Sequence, residues 1–313
     1  INLVIVASIT VEFFEWGRNA MGKLLEAALD ILKLAPSSDK WGSVYSIVRA
    51  INEGVLALAL PLTVMVFLYG MFKSTTDLVE FKSPVHLFKA LFRYGISLAF
   101  VRGSMFLVES LFKIFDGFRQ VVQATMDTAF PNAWTSDLPR IVFNAAFNLA
   151  QETAPAGSPQ FYRAFWTAKM PSFVTEDLAE SIDASDQWLK LFIFIFVVMA
   201  ALALMVMGAM IVIHVYTRIF KIWIYMAIAP LPLAFFASES TRQSGFSFLK
   251  TYVGVIIQGL LLIVIFAIFS YLPIFTFLGS ESPIYMILGV VVNAGILLGI
   301  VKGSDMMVRE IMG

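Results

Sequence analysis

The sequence predicts an all-α, polytopic helical membrane protein. It has about five transmembrane helices, a re-entrant or broken helix, an N-terminal amphipathic helix and a small helical subdomain outside the membrane. Three observations predict this. Of 313 residues, 59% are hydrophobic and 14% are charged, whereas a soluble domain carries about 45–50% and about 25%. Four stretches lack any charged residue and approach the ~20 residues that a bilayer core requires. No alternation of apolar and polar residues marks a strand. The 22 basic residues balance the 22 acidic ones, so the chain has no global basic field for nucleic acid. Cysteine is absent, which excludes disulfides, thiolate nucleophiles and cysteine-ligated metals.

Residues 1–50 form an N-terminal amphipathic and helical region. The chain opens on Ile1, so a native start is expected to be missing or removed, and INLVIVASIT is too short to span. Residues 10–35 are predicted as one helix. Phe14, Met21, Leu25, Ala28, Leu32 and Ala35 recur on it at helical spacing, and Glu15, Arg18, Glu26, Asp30 and Lys33 fill other positions. Such a helix either packs on a bundle or skims the membrane; packing is the expectation. Pro36 ends it, and Ser37, Ser38 and Asp39 are placed to cap the next helix.

Residues 51–115 contain the first two membrane helices. Between Glu53 and Lys73 runs GVLALALPLTVMVFLYGMF. Tyr94 to Phe115 is apolar but carries Arg102, Glu109 and Lys113, which with Asp116 fall near one helical face. It is expected to be a span with a polar stripe. An arginine inside a span is costly unless it faces a cavity or a partner, and Glu109 and Lys113 are available as partners. Arg102, Glu109 and Lys113 therefore either line a passage or form a paired group that fixes bundle geometry.

Residues 116–187 carry nine acidic and four basic side chains and are expected to form a helical extracytoplasmic subdomain. Helix starts stand at Thr135 and Ser136, at Ser158 before Pro159, and at Thr175 before Glu176. The aromatics from Phe130 to Phe173 form either a core or a partner surface. The cluster Glu176, Asp177, Glu180, Asp183 and Asp186 lacks the alternating ligand spacing of a calcium loop and is expected to be a solvated face.

Residues 188–313 form a C-terminal membrane domain. Lys190 to Arg218, Lys250 to Glu281 and Glu281 to Lys302 each enclose a charge-free span. Between them, Ile219 to Ala237 has a short uncharged core ending in Pro230 and Pro232. Proline removes a backbone donor and clashes with the preceding turn, so this piece is predicted as re-entrant or broken. Basic residues of short loops face the cytoplasm. Five spans, with the N-terminus outside and the C-terminus cytoplasmic, place Lys73, Lys82, Lys89, Arg93, Arg218, Lys221, Arg242, Lys250, Lys302 and Arg309 on that side. The chain is thus expected in the cytoplasmic membrane, with the lipid bilayer as its first partner.

Motifs for chemistry are missing. GxxxxGK[ST], GxGxxG, GxSxG and HExxH do not occur, and each marks a specific phosphate, nucleophile or metal geometry. His86 and His214 lie far apart. No catalytic residue, metal site or cofactor is predicted, and the chain is not expected to be an enzyme. Gly295, Gly299 and Gly303 form a G-x-x-x-G-x-x-x-G ridge suited to close helix packing, within one chain or between copies. Gln258 and Asn293 are expected to form interhelical hydrogen bonds.

The segment RIFKIWIYMAIAPLPLAFFAS, residues 218–238, resembles the signature of the TrbL-like polytopic channel family of conjugation and type IV secretion machines. In that signature an Arg-led apolar stretch runs into proline and a small apolar tail, here Arg218, Pro230 and Pro232. The ending VKGSDMMVREIMG is similar to the ends of members from Gram-positive mobile elements. The resemblance covers about residues 188–313. It implies a structural subunit of a translocation channel that forms a homo-oligomeric ring. The implied partners are other channel subunits, cytoplasmic ATPases and a passing single-stranded DNA or protein substrate.

Two other functions compete. A secondary transporter for a small solute is one, although such proteins carry broken helices in both halves and Pro61 is the single candidate twin of the Pro230 break. An assembly scaffold without a passage of its own is the other.

Overall fold

The computed structural model describes residues 3–36, 38–75, 84–129, 187–271 and 283–312, and every element among them is helical. Helix α1 spans Leu3–Lys33, and a short 3-10 turn at Asp39–Trp41 leads into α2, Gly42–Thr75. Helices α3 (Pro84–Arg102) and α4 (Ser104–Ala129) follow. Then come α5 (Gln187–Ile228), the short α6 (Pro230–Ala234), α7 (Arg242–Tyr271) and α8 (Pro283–Met312). Among the described residues, four helices are long and apolar enough to cross a membrane, over Asp39–Lys73, Leu191–Ile228, Arg242–Phe266 and Leu288–Met312. The predicted outer subdomain falls almost wholly on residues 130–186, outside the described residues, together with its aromatics and acidic cluster.

The described helices group into two compact units. The first comprises Ile1–Lys33, Gln123–Tyr216 and Leu261–Ser304. Here α1 is a packed helix. Phe14, Met21, Leu25, Ala28 and Leu32 are all buried, as the spacing predicts. Two glycines set its approach to α5. A Cβ on Gly17 would lie 2.6 Å from the Ala201 Cα, and one on Gly208 would lie 2.7 Å from the Met21 sulfur. Each helix thus offers a notch to a side chain of the other, the small-residue logic of close helix packing. Arg18 does not stand on the outer face with the other charges. It is 2% exposed, because four residues after Phe14 is one turn along the same face.

The second unit comprises Leu34–Val122, Thr217–Leu260 and Asp305–Gly313. Residues 94–115 are not one helix here. The helix is interrupted at Gly103, the residue least committed to helical geometry. Gly103 N still donates to Ala99 O at 2.9 Å, and Leu107 N to Gly103 O at 2.8 Å, so the interruption is one residue long. The segment after Arg218 does not begin a new helix. It continues α5 for ten residues to Ile228, and the break falls at Ala229, where α6 starts with Pro230 in its first turn. Helices α2 and α3 pack on α6 and on the 3-10 turn Phe235–Ala237 that follows it. Gly70 makes room for Ser238, and Gly245 for the Phe236 ring. Ser38 stands before the 3-10 turn but makes no side-chain cap bond.

Candidate functional site

Helix α4 makes hydrogen bonds in the second unit on four levels, the first two buried and the last reaching the surface. At the first, the Ser104 hydroxyl donates to Asn52 Oδ1 at 3.4 Å, and Asn52 Nδ2 donates to the Met226 carbonyl at 2.7 Å. At the second, the Tyr252 hydroxyl donates to the Val108 carbonyl at 3.0 Å. At the third, the Tyr45 hydroxyl donates to the Glu109 carboxylate. At the fourth, Arg119 Nε meets Asp116 Oδ1 at 2.7 Å, and Gln120 Nε2 donates to Asp116 Oδ2 at 3.0 Å. The opposite side of α4 exposes Phe106, Ile114, Phe118 and Val121, at 57–77%. A helix in water turns its apolar side inward; here much of the polar side faces protein.

The Asn52 bond has a specific cause. Pro230 stands four residues after Met226 and has no N–H to close the helical bond to that carbonyl. Asn52 supplies the missing donor from α2. Where the short α6 ends, the Ser97 hydroxyl lies 3.1 Å from the Leu233 carbonyl and 3.3 Å from that of Ala234. The Pro-broken segment is therefore held by side chains of two other helices.

Beside α4 lies a cleft of about 110 Å³, lined by Ala35, Pro36, Glu109, Phe112, Lys113, Asp116 and Met226. Two carboxylates and one ammonium face it. Both carboxylates already accept bonds, from Tyr45 and from Arg119 with Gln120. Lys113 is exposed and forms no ion pair among the described residues.

Arg218 of α5 is 7% exposed. Its Nε donates to the Val255 carbonyl at 3.1 Å, and Nη2 to the Ile256 carbonyl at 3.4 Å. The guanidinium lies over Gly259, and a Cβ there would collide with it. Among the described residues no carboxylate forms an ion pair with Arg218. Asp116 and Arg119 of α4 lie within electrostatic range. Nearby, Lys221 Nζ meets Asp305 at 3.1 Å, which ties α5 to α8.

The predicted residues separate accordingly. Glu109 and Lys113 come together at the cleft with Asp116, while Arg102 does not line it. Arg102 is exposed and makes no ion pair with Glu109 among the described residues; the Tyr45 hydroxyl takes that carboxylate instead. On α8, Gly295 lies 3.8 Å from the Met207 sulfur by its added Cβ, while Gly299 and Gly303 would meet nothing within 4 Å. Among the described residues, two-thirds of the ridge is thus open. Of the two predicted interhelical amides, Asn293 is 1% exposed, and neither of its polar atoms has a hydrogen-bond partner among the described residues.

Sequence reasoning missed Asn52, Gly259 and Tyr45. The signal for Asn52 was Pro230 itself, since a proline inside an apolar stretch orphans a carbonyl four residues earlier and calls for a substitute donor. Gly259 carries no such local sign; only the fold sets it opposite Arg218. No protein-family model matches this chain, and no curated protein or solved structure matches it either.

Proposed function

We propose that this chain is a membrane-embedded structural subunit of a conjugative, type IV secretion channel that helps pass DNA, protein or both across the cytoplasmic membrane. The observation that carries this reading is the segment 218–238, which resembles the TrbL-like signature and whose signature residues have specific structural tasks. Arg218 is seated on α7, Pro230 breaks the helix, and Asn52 repairs the break. The seam along α4 supports the passage. It holds one ion pair, Asp116 with Arg119, one carboxylate that accepts from Tyr45, and one lysine, so it offers a weakly polar wall that would not hold phosphates tightly. With no nucleotide motif in the sequence, energy comes from separate ATPases. The open part of the Gly295, Gly299 and Gly303 ridge provides the contact between copies of a homo-oligomeric ring. Helices α3 and α4 supply the fifth crossing that an outside N-terminus and a cytoplasmic C-terminus require.

The test is genetic. In-frame deletion in the native host, scored by transfer of its mobile elements to a recipient with growth and complementation controls, is expected to abolish transfer without slowing growth. Normal transfer in the absence of a second copy refutes the reading. The cleft beside Glu109, Lys113 and Asp116 favours a second reading, a secondary transporter, because its volume and mixed charge suit a small zwitterion. Solute-dependent uptake that is lost in the deletion strain would select that reading.

A further inference from the structure

In the second unit the apolar stretches of three helices end at one level, and that level is basic. Helices α2 and α3 run antiparallel. The Phe67 ring lies 4.8 Å from that of Tyr94, and Ser104, just past the end of α3, meets Asn52. This register sets the charge-free residues 54–72 of α2 beside residues 88–102 of α3, so Lys73 and Lys89 stand at the same level. The apolar stretch of α2 stops at Lys73, and that of α7 starts at Arg242. The connection after α6 joins the three helices there. Ser238 fills the notch at Gly70, Glu239 pairs with Arg93 at 3.1 Å, and Arg242 opens α7 three residues later. Lys73, Lys89 and Arg242 are exposed. So are the rings at this level, Phe72 at 72%, Phe88 at 73% and Phe92 at 66%. Four cations thus stand against Glu239, and α3 itself contains no acidic residue. The residues joining α2 to α3 add Asp77, Glu80 and Lys82, which lowers the sum by one and leaves it at two positive charges. Exposed aromatic rings mark the boundary between hydrocarbon and head groups, and clustered lysine and arginine at that boundary attract anionic lipid.

We propose that this edge is a binding site for an anionic phospholipid, whose phosphate is held by Lys89 and Arg242 and whose acyl chains lie along the Phe88 and Phe92 side of α3. The Arg93–Glu239 ion pair brings the two cations to one place, since Lys89 is one turn from Arg93 and Arg242 three residues from Glu239. A soluble anion would satisfy the cations and leave the rings in water, whereas a phospholipid covers both. The site goes beyond the channel reading and needs only that the apolar helices lie in a membrane.

The experiment titrates the full chain, in a neutral detergent, with phosphatidylglycerol and with phosphatidylcholine of the same acyl chains, and counts bound lipid by native mass spectrometry. Wild type is expected to bind phosphatidylglycerol about tenfold more tightly, and equal binding of the two lipids overturns the proposal. Each basic residue near an anionic lipid surface contributes about fivefold. Lys89→Gln with Arg242→Gln, eluting as wild type does, is therefore expected to lose that preference and to bind phosphatidylcholine as before. Lys40→Gln with Arg49→Gln removes the same charge at the far end of α2 and is expected to keep it. If the first pair keeps the preference, or the second loses it equally, the site is not at this edge and the proposal falls. Wild type also gives a readout independent of variant folding. Raising the ionic strength should erase the preference, and a preference that salt leaves unchanged overturns the proposal. Inorganic phosphate at matched ionic strength should not displace the lipid; if it does so as well as phosphatidylglycerol, the site belongs to a soluble anion and the proposal falls.

Discussion

Asn52 and Pro230 should be energetically coupled although 178 positions separate them in the sequence. Pro230 cannot donate to the Met226 carbonyl, and Asn52 Nδ2 does so at 2.7 Å. Replacing Asn52 with Leu keeps the side-chain volume nearly constant and removes the donor. The Met226 carbonyl is then buried without a partner, a loss of about 1–3 kcal/mol. The Ser104 hydroxyl also loses its acceptor, but at 3.4 Å that contact contributes little. In a Pro230→Ala background the situation reverses. Residue 230 regains an N–H four positions after Met226, and the ordinary helical bond becomes available. Asn52→Leu should then cost close to nothing, and the double-mutant cycle should return a coupling of about 1–3 kcal/mol. The assay is unfolding of the four proteins in one detergent, followed by tryptophan fluorescence. Trp41 and Trp223 stack edge-on in the same unit, at 5.2 Å, and report its integrity. An equal cost of Asn52→Leu in both backgrounds, within the additivity error of about 0.3–0.5 kcal/mol, would refute the reasoning.

Three other outcomes follow from the geometry. Gly259→Ala should destabilise by about 1–3 kcal/mol, because the loss of charge-assisted bonds from Arg218 outweighs the roughly 1 kcal/mol that Ala gains in a helix; the penalty should vanish in an Arg218→Leu background, read by the same unfolding assay. Gly17→Leu and Gly208→Leu should each force α1 off α5, seen as protease sensitivity of α1 in detergent, whereas Gly42→Leu, whose Cβ meets nothing within 4 Å, should not. Gly299→Leu should leave monomer stability unchanged and abolish the oligomer on native gels; an intact oligomer removes the ridge from the subunit contact.

The apolar runs made the four long helices legible, because a charge-free stretch of that length has few other uses. The periodic face of α1 was equally legible, since Phe14, Met21, Leu25, Ala28 and Leu32 all lie inside. The charge of Arg18 points to an outer position, but one turn from Phe14 it shares the buried side. The polar stripe of Tyr94 to Phe115 was seen in outline, but its pairing was not. Local spacing suggested that Glu109 would answer Arg102, whereas the Tyr45 hydroxyl, 64 residues away, takes the carboxylate. Hydrogen bonds between distant helices leave no periodic trace in sequence. The seat of Arg218 at Gly259 belongs to the same class, because neither residue alone predicts the other.

The apolar part of α5 has a consequence for the membrane itself. Leu191–Ile228 comprises 38 residues, about 57 Å of helix at ~1.5 Å per residue. The hydrocarbon layer is about 30 Å thick, and tilts rarely exceed about 40°. Even at that tilt the apolar helix reaches about 44 Å along the bilayer normal, an excess of roughly twelve residues. Lipid cannot cover that excess, and protein covers one face of it, while Phe220 and Ile224 stay exposed. Ile219, Ile222, Trp223 and Met226, each at most 4% exposed, are where it does so. The Trp223 indole reaches the Pro36 carbonyl at 3.4 Å, which puts the turn at Pro36 to use as a lid over greasy surface that the bilayer is too thin to hide.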